Sequence, residues 1–153
     1  MWIAGSLAHF LYDWTGDNRI VGFFTPINES IWEHMKLLFF PMLLFSLFMI
    51  YKFRRSFPGI IFSLSLGNLT GTLLIPIFFY AYTFILGRDI FLLDISIFAV
   101  STVLAFLIAY KTARFGTRKF INVLSGSLLV TLFLCFVLFT YHAPDMHIFE
   151  DPT

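Results

Sequence analysis

The stretch Asn28-Glu29-Ser30-Ile31-Trp32-Glu33-His34-Met35-Lys36 places two carboxylates, an imidazole and an ammonium directly before the apolar run Leu37 to Ile50. Carboxylates and imidazoles exchange protons and hold divalent cations, so their density at the mouth of an apolar segment calls for an explanation. On a helix of 3.6 residues per turn, Glu29, Glu33 and Lys36 fall within about 60° of one another, while Ser30 and His34 occupy a neighbouring face. Read structurally, this is an interfacial helix end: carboxylates near the positive dipole terminus, a Glu33 to Lys36 ion pair, and Trp32 as an anchor. Read functionally, it is a polar site in which Glu33 accepts a proton or a cation and His34 titrates or ligates a metal.

His9 and Asp13 lie four residues apart, on one face of a helical first segment. A neighbouring carboxylate favours imidazolium, or orients a neutral imidazole that binds metal through its other nitrogen. The short connection to the charged stretch lets both join Asn28, Glu29, Ser30, Trp32, Glu33, His34 and Lys36 in one cavity. A divalent metal is the cofactor such a set would take, with His9, Glu33 and His34 as ligands. Asn68 and Asp94 are secondary candidates. Asn68 is placed to bridge helices near the middle of its span, and an unpaired Asp94 would protonate or seek Lys36 or Arg88. In the tail, His142 and His147 are separated by Pro144, which argues against one regular helical face.

The elements that must position these groups follow from composition. The chain has 153 residues, of which 59% are hydrophobic and 12% charged, and its mean hydropathy is +0.86. That is the composition of an integral membrane protein rather than of a soluble domain. A formal net charge of +1, with few and divided basic residues, gives no electrostatic footprint for nucleic acid. Cys135 is the sole cysteine, so an intrachain disulfide and a Cys-based zinc cluster are both excluded. It reads as a small apolar residue within a span.

The expected fold is all-α, a single polytopic helical bundle over residues 1–153 with about five transmembrane segments, near 1–14, 30–51, 57–86, 90–110 and 120–141. The last four meet the roughly 20-residue requirement for crossing about 30 Å of hydrocarbon. The first would reach only about 21 Å as a helix, so it is either re-entrant or shortened by missing residues. It carries no basic residue and is interrupted by His9 and Asp13, which sets it apart from a signal peptide.

Lys52, Arg54 and Arg55 follow one span and Lys111, Arg114, Arg118 and Lys119 another, which puts seven of the ten basic residues on one side. By the positive-inside rule that side is cytoplasmic, with the N-terminus in and the C-terminus out. All nine acidic residues and four histidines then fall toward the outer face. Tyr12, Trp14, Trp32, Tyr80, Tyr82 and Tyr141 form an outer aromatic belt, and Trp2, Tyr51 and Tyr110 an inner one.

Local punctuation supports these boundaries. Thr25 before Pro26 offers one start for the second span, and the capping box from Ser30 to Glu33 offers another one turn later. Pro58 opens the third span, and Gly87 with Arg88 and Asp89 makes the turn into the fourth. Pro41 is expected to kink the second span, and Pro76 to bend the third. Gly67-Asn68-Leu69-Thr70-Gly71 fits the small-x-x-x-small pattern of close helix packing, with Ser125-Gly126-Ser127 as a complementary surface. The partners expected are the lipid bilayer and, through Gly67 and Gly71, a second copy or another membrane protein.

The blocks Gly5 to Trp14 and Asn28 to Pro41, with the tail Phe149-Glu150-Asp151-Pro152-Thr153, resemble a family of small, uncharacterised bacterial membrane proteins that carry a domain of unknown function. Its Asn-Glu-Ser-x-Trp-Glu-His-x-Lys block matches here, and the similarity covers essentially the whole chain. The resemblance implies a multi-pass protein of the bacterial cytoplasmic membrane and supplies no activity. It also implies further residues at both ends. Where the family tail carries prolines and a tyrosine, this chain has His142, Ala143 and His147, so no shared role passes to those histidines.

A shorter stretch, Ser30-Ile31-Trp32-Glu33-His34, is similar to part of the adiponectin-receptor and alkaline-ceramidase group, intramembrane hydrolases with zinc held by three histidines. On that likeness His34 is the early ligand and His142 with His147 the late pair, with Asp13 or Asp94 assisting a zinc-bound water. The chain departs from that group in span number, at Ser30 and Glu33, in the spacing of the late pair and in the side on which the site lies.

Three function classes follow: binding or movement of a small cation or proton at an outward-facing polar site, metal-dependent intramembrane hydrolysis, and a non-catalytic membrane scaffold.

Overall fold

The computed structural model describes residues 2–115 and 119–151. Met1, the Trp2 side chain, Arg118 and the Pro152-Thr153 end lie outside the described residues. The chain is all-α there: α1 (Trp2–Trp14), the single turn α2 (Arg19–Gly22), α3 (Ile31–Phe53), α4 (Ile60–Leu86), α5 (Phe91–Thr112), α6 (Lys119–Phe139) and a 3-10 turn at His147–Phe149. Helices α3 to α6, at 23, 27, 22 and 21 residues, are long and apolar enough to cross a membrane. With 13 residues, α1 reaches about 20 Å and falls short of that length. Among the described residues four such helices are therefore present where five segments were expected.

Capping decides where the helices start. Ser30 rather than Thr25 opens α3, its hydroxyl accepting the Glu33 N–H at 3.3 Å. Only half of the expected capping box forms. The Glu33 carboxylate reaches past Ser30 to the Ile27 N–H at 3.0 Å, and the Ser30 N–H is taken by Asn28 Oδ1 at 3.1 Å. Helix α4 starts at Ile60, two residues beyond Pro58. One N–H group of its first turn is met from outside the helix: Asn122 on α6 accepts from Phe62 N–H at 3.1 Å and donates to the Pro58 carbonyl at 3.1 Å. Gly87 ends α4 in the left-handed region at φ 67°, which makes the turn into α5. Both α3 and α4 stay helical through Pro41 and Pro76.

Helix α4 is the central member, packed on α3, α5 and α6, and α1 leans on the start of α3. Its contacts with α5 are close because Gly67 and Gly71 have no side chain. A Cβ on Gly67 would stand 2.5 Å from the Ala105 carbonyl oxygen, and one on Gly71 would stand 2.5 Å from Ala105 Cβ. The small-residue face offered to a partner is thus occupied by α5 of the same chain. Its complement is Ser101, Ala105 and Ala109 rather than Ser125-Gly126-Ser127, since a Cβ on Gly126 would meet nothing from another element nearer than Ile61 at 4.0 Å. On the α3 side, Asn68 Nδ2 donates to the Phe39 carbonyl at 3.2 Å and Asn68 Oδ1 accepts from Thr72 at 3.2 Å.

The core lies where α3, α4 and α6 meet and includes Met35, Leu38, Phe39, Met42, Ile75 and Phe136. Outward faces carry large apolar residues such as Phe84, Phe91, Leu92 and Phe120, with Phe84 at 92% exposure. An apolar surface of this extent is what a bilayer would cover. Hydroxyls on these faces bond back to their own helices, as Thr83 does to Phe79, Ser96 to Leu92 and Thr131 to Ser127.

By connectivity α3 and α5 run one way and α4 and α6 the other. All nine carboxylate side chains accordingly gather at the end formed by the start of α3, the α4–α5 turn and the tail after α6. Lys52, Arg54, Arg55, Lys111, Arg114 and Lys119 lie at the opposite end.

Overpacking of the α4–α5 contact should be measurable. Gly67→Ala is expected to lower stability by about 1–3 kcal/mol, whereas Gly126→Ala, with open space around it, is expected to be neutral in the same detergent unfolding experiment.

Candidate functional site

Because Ser30 is the cap, Glu29 lies outside α3, and the helical face expected to join Glu29, Glu33 and Lys36 does not exist. The two carboxylates part company. Glu29, free of the helix, turns to the histidines: its Oε2 lies 3.4 Å from His34 Nε2 and 3.5 Å from His9 Nε2. The two imidazole rings are 5.4 Å apart and tilted by 59°. One ligand atom from each of His9, Glu29 and His34 lies within 4.8 Å of the others. His9 arrives on α1, Glu29 on the bend before the cap, and His34 on the first turn of α3.

The protonation pattern of His34 follows from its other nitrogen. Nδ1 lies 3.0 Å from the Ser30 carbonyl oxygen, which can only accept, so Nδ1 carries the proton in the neutral ring. Nε2 then directs a lone pair at the Glu29 carboxylate. Two acceptors 3.4 Å apart repel unless a proton or a cation lies between them. An imidazole anchored through Nδ1 to a backbone carbonyl, with Nε2 free, is the arrangement that holds metal-ligating histidines. The His9 and His34 side chains are partly exposed and that of Glu29 is 45% exposed, so water reaches the cluster.

Glu33 and Lys36 make a separate, dry assembly. The Lys36 ammonium, fully buried, donates to Glu33 Oε2 at 2.6 Å, Thr140 Oγ1 at 2.7 Å and the Gly22 carbonyl at 3.0 Å. Its three N–H donors are all used. The Thr140 hydroxyl in turn donates a hydrogen bond to the Phe136 carbonyl at 2.6 Å. Glu33, expected as a metal ligand, is thereby committed to Lys36 and Ile27, and Glu29 takes its place beside the histidines. One network ties α3 to the α2 turn and to the end of α6.

The α2 turn needs glycine at position 22, because a Cβ there would run into the Tyr141 hydroxyl and stand 2.7 Å from Ile27. Tyr141 donates to the Arg19 carbonyl at 3.0 Å, and the Arg19 guanidinium lies 5.1 Å from the centre of its ring. Burial, followed by the neighbouring Tyr12 hydroxyl, pushes the Tyr141 hydroxyl above its ordinary value, which keeps it a donor.

The tail closes over the same end. Phe149 packs 4.9 Å from the Trp32 ring and 5.7 Å from Phe139, and Asp151 accepts from the Glu29 N–H at 3.3 Å. Trp32, expected as an interfacial anchor, is buried among Phe136, Phe139 and Phe149.

The remaining candidates lie apart. Asp13 is exposed one turn beyond His9, whose carboxylate partner is Glu29. Asp94 accepts from the Tyr82 hydroxyl at 2.6 Å rather than pairing with Lys36 or Arg88, and Tyr82 also accepts from the Ile90 N–H. Asn68 serves the α3–α4 contact. His142 and His147 are exposed and outside the three-residue cluster, and His147 Nδ1 lies 2.8 Å from Glu150. The late pair required by the hydrolase likeness therefore does not meet His34. Gly22, Thr140 and Asp151 escaped sequence reasoning, because each acts across a long separation and carries no local motif.

The entire chain, residues 1–153, matches the model of a family of unknown function, DUF6512, and the protein belongs to that family. No curated protein and no solved structure shows a significant match.

Removing the ammonium should expose the cost of the buried carboxylate. Lys36→Met is expected to destabilise the protein by about 3–5 kcal/mol, and adding Glu33→Gln to it should recover much of the loss in thermal unfolding. Equal destabilisation of the single and double variants would show that the ion pair is not what the network depends on.

Proposed function

We propose that this DUF6512 member is a multi-pass protein of the bacterial cytoplasmic membrane that binds a divalent transition-metal cation on its outer face, through His9, Glu29 and His34. The observation that carries the reading is the convergence of three ligand atoms within 4.8 Å, with His34 already fixed through Nδ1. Two imidazoles and one carboxylate suit zinc or iron(II), and both leave coordination positions for water or a substrate group. The separation of charge along the bundle supports the orientation, since the basic end belongs in the cytoplasm by the positive-inside rule. In this arrangement α1 enters from the outer face and packs His9 against α3 without needing to span.

Binding fits the geometry better than hydrolysis. A hydrolase needs a carboxylate free to act as base toward metal-bound water, and Glu33 is held by Lys36 and Ile27. Below the cluster, Leu38, Phe39 and Met42 are fully buried in the core, so the site reads as a receptor at one face rather than an open path.

Metal analysis of the full chain purified without chelator tests the proposal. About one equivalent of zinc or iron is expected in the parent and in Asp13→Asn and His147→Ala. Occupancy should fall below about a tenth in His9→Ala, Glu29→Gln and His34→Ala, and should fall in the parent as the pH is lowered, because the ligands must give up protons to bind. Retention in folded His34→Ala would overturn the assignment.

A further inference from the structure

The opposite end of the bundle carries a second feature, independent of the metal cluster. Between the second half of α3, the start of α4 and the end of α5 lies a cavity of about 300 Å³, at the lower bound of volumes that hold organic ligands. Phe45, Met49 and Phe53 line it from α3, Leu64 from α4, and Phe106 and Tyr110 from α5. Its walls are almost wholly apolar, and Arg114 stands among the lining residues just beyond the end of α5.

Arg114 lines this cavity, and Lys52 lies beside it, over Phe53, which is one of its walls, and over Phe48, which is not. The Arg114 guanidinium lies 5.8 Å from the centre of the Tyr110 ring, and the Lys52 ammonium 5.3 Å from that of Phe53. Among the described residues neither forms an ion pair, and all nine carboxylates lie at the other end of the bundle. The end of the bundle that opens on this cavity is therefore positive without internal compensation. An apolar slot within helices of membrane-spanning length, with unpaired cations at its mouth, is complementary to an amphiphile with a hydrocarbon chain and a negative head.

We propose that this cavity is a binding site for an anionic phospholipid of the cytoplasmic leaflet, with one acyl chain between α3, α4 and α5 and the headgroup on Arg114 and Lys52. A soluble anion would not use the apolar walls, and a neutral lipid would leave both cations uncompensated. Basic pockets between membrane helices on the cytoplasmic side recognise anionic headgroups in this way.

Native mass spectrometry of the full chain in detergent, with phosphatidylglycerol and phosphatidylcholine added in equal amount, tests the site. The parent is expected to retain one phospholipid, with about a tenfold preference for phosphatidylglycerol. Arg114→Gln combined with Lys52→Gln should still retain a lipid but lose the preference. Ala113→Phe, at the cavity mouth, should lose the retained lipid of either kind. Met49→Trp fills the slot from α3 and serves if Ala113→Phe does not fold, as judged by its unfolding midpoint. Equal binding of both lipids by the parent would overturn the proposal, as would an unchanged preference in the double variant or full retention in a folded filling variant.

Discussion

An ammonium ion with no access to water organises the carboxylate-rich end of this bundle. Lys36 is fully buried in the first turns of an apolar helix, where an uncompensated charge would be prohibitive. Its acceptors come from three places in the chain: Glu33 on the same helix, the Gly22 carbonyl on the α2 turn and Thr140 at the end of α6. Satisfying one cation thus fixes the loop before α3 and the last turn of α6 together. Glycine at position 22 lets that loop come close enough, and the Tyr141 hydroxyl on Arg19 holds it from the other side.

The meeting of His9, Glu29 and His34 follows from that arrangement. With Glu33 drawn to Lys36 and to the Ile27 N–H, the chain bends through Ile27–Glu29 before α3, and the Ser30 cap starts the helix one residue past Glu29. Glu29 is then free to meet His34 and His9, and the tail holds its backbone through Asp151. The two carboxylates do different work because their surroundings differ. Glu33 is dry and neutralised by a lysine, while Glu29 is wet and faces two imidazoles. At the far end Arg114 lines an apolar cavity and Lys52 lies nearby, neither in an ion pair among the described residues, so the bundle has two chemically distinct ends.

Length and apolarity made the four long helices legible, because crossing hydrocarbon demands both and little else in a sequence mimics them. The same holds for Gly87 as a terminator and for the close approach at Gly67 and Gly71, where a missing Cβ leaves one geometric use. The occupant of that glycine face was not legible, since α5 competes for it within the chain. The polar stretch was legible as a place but not as a partition. Whether Glu29 stays on the helical face of Glu33 and Lys36 or leaves it to meet His34 turns on one capping position, Ser30 rather than Thr25. Asn122 over the start of α4 and Tyr82 on Asp94 were invisible for a related reason: each satisfies a group on another element, and only the packed bundle brings them together.

The account stands on three side chains meeting at one cation, and X-ray absorption at the zinc edge of the zinc-loaded full chain tests this most directly. Two imidazole nitrogens and one carboxylate oxygen at about 2.0–2.2 Å, with the remaining positions filled by water oxygen, is the predicted first shell. Loss of one imidazole contribution is predicted in His9→Ala. A shell of oxygen alone, or one whose imidazole count is unchanged in His9→Ala, would contradict it.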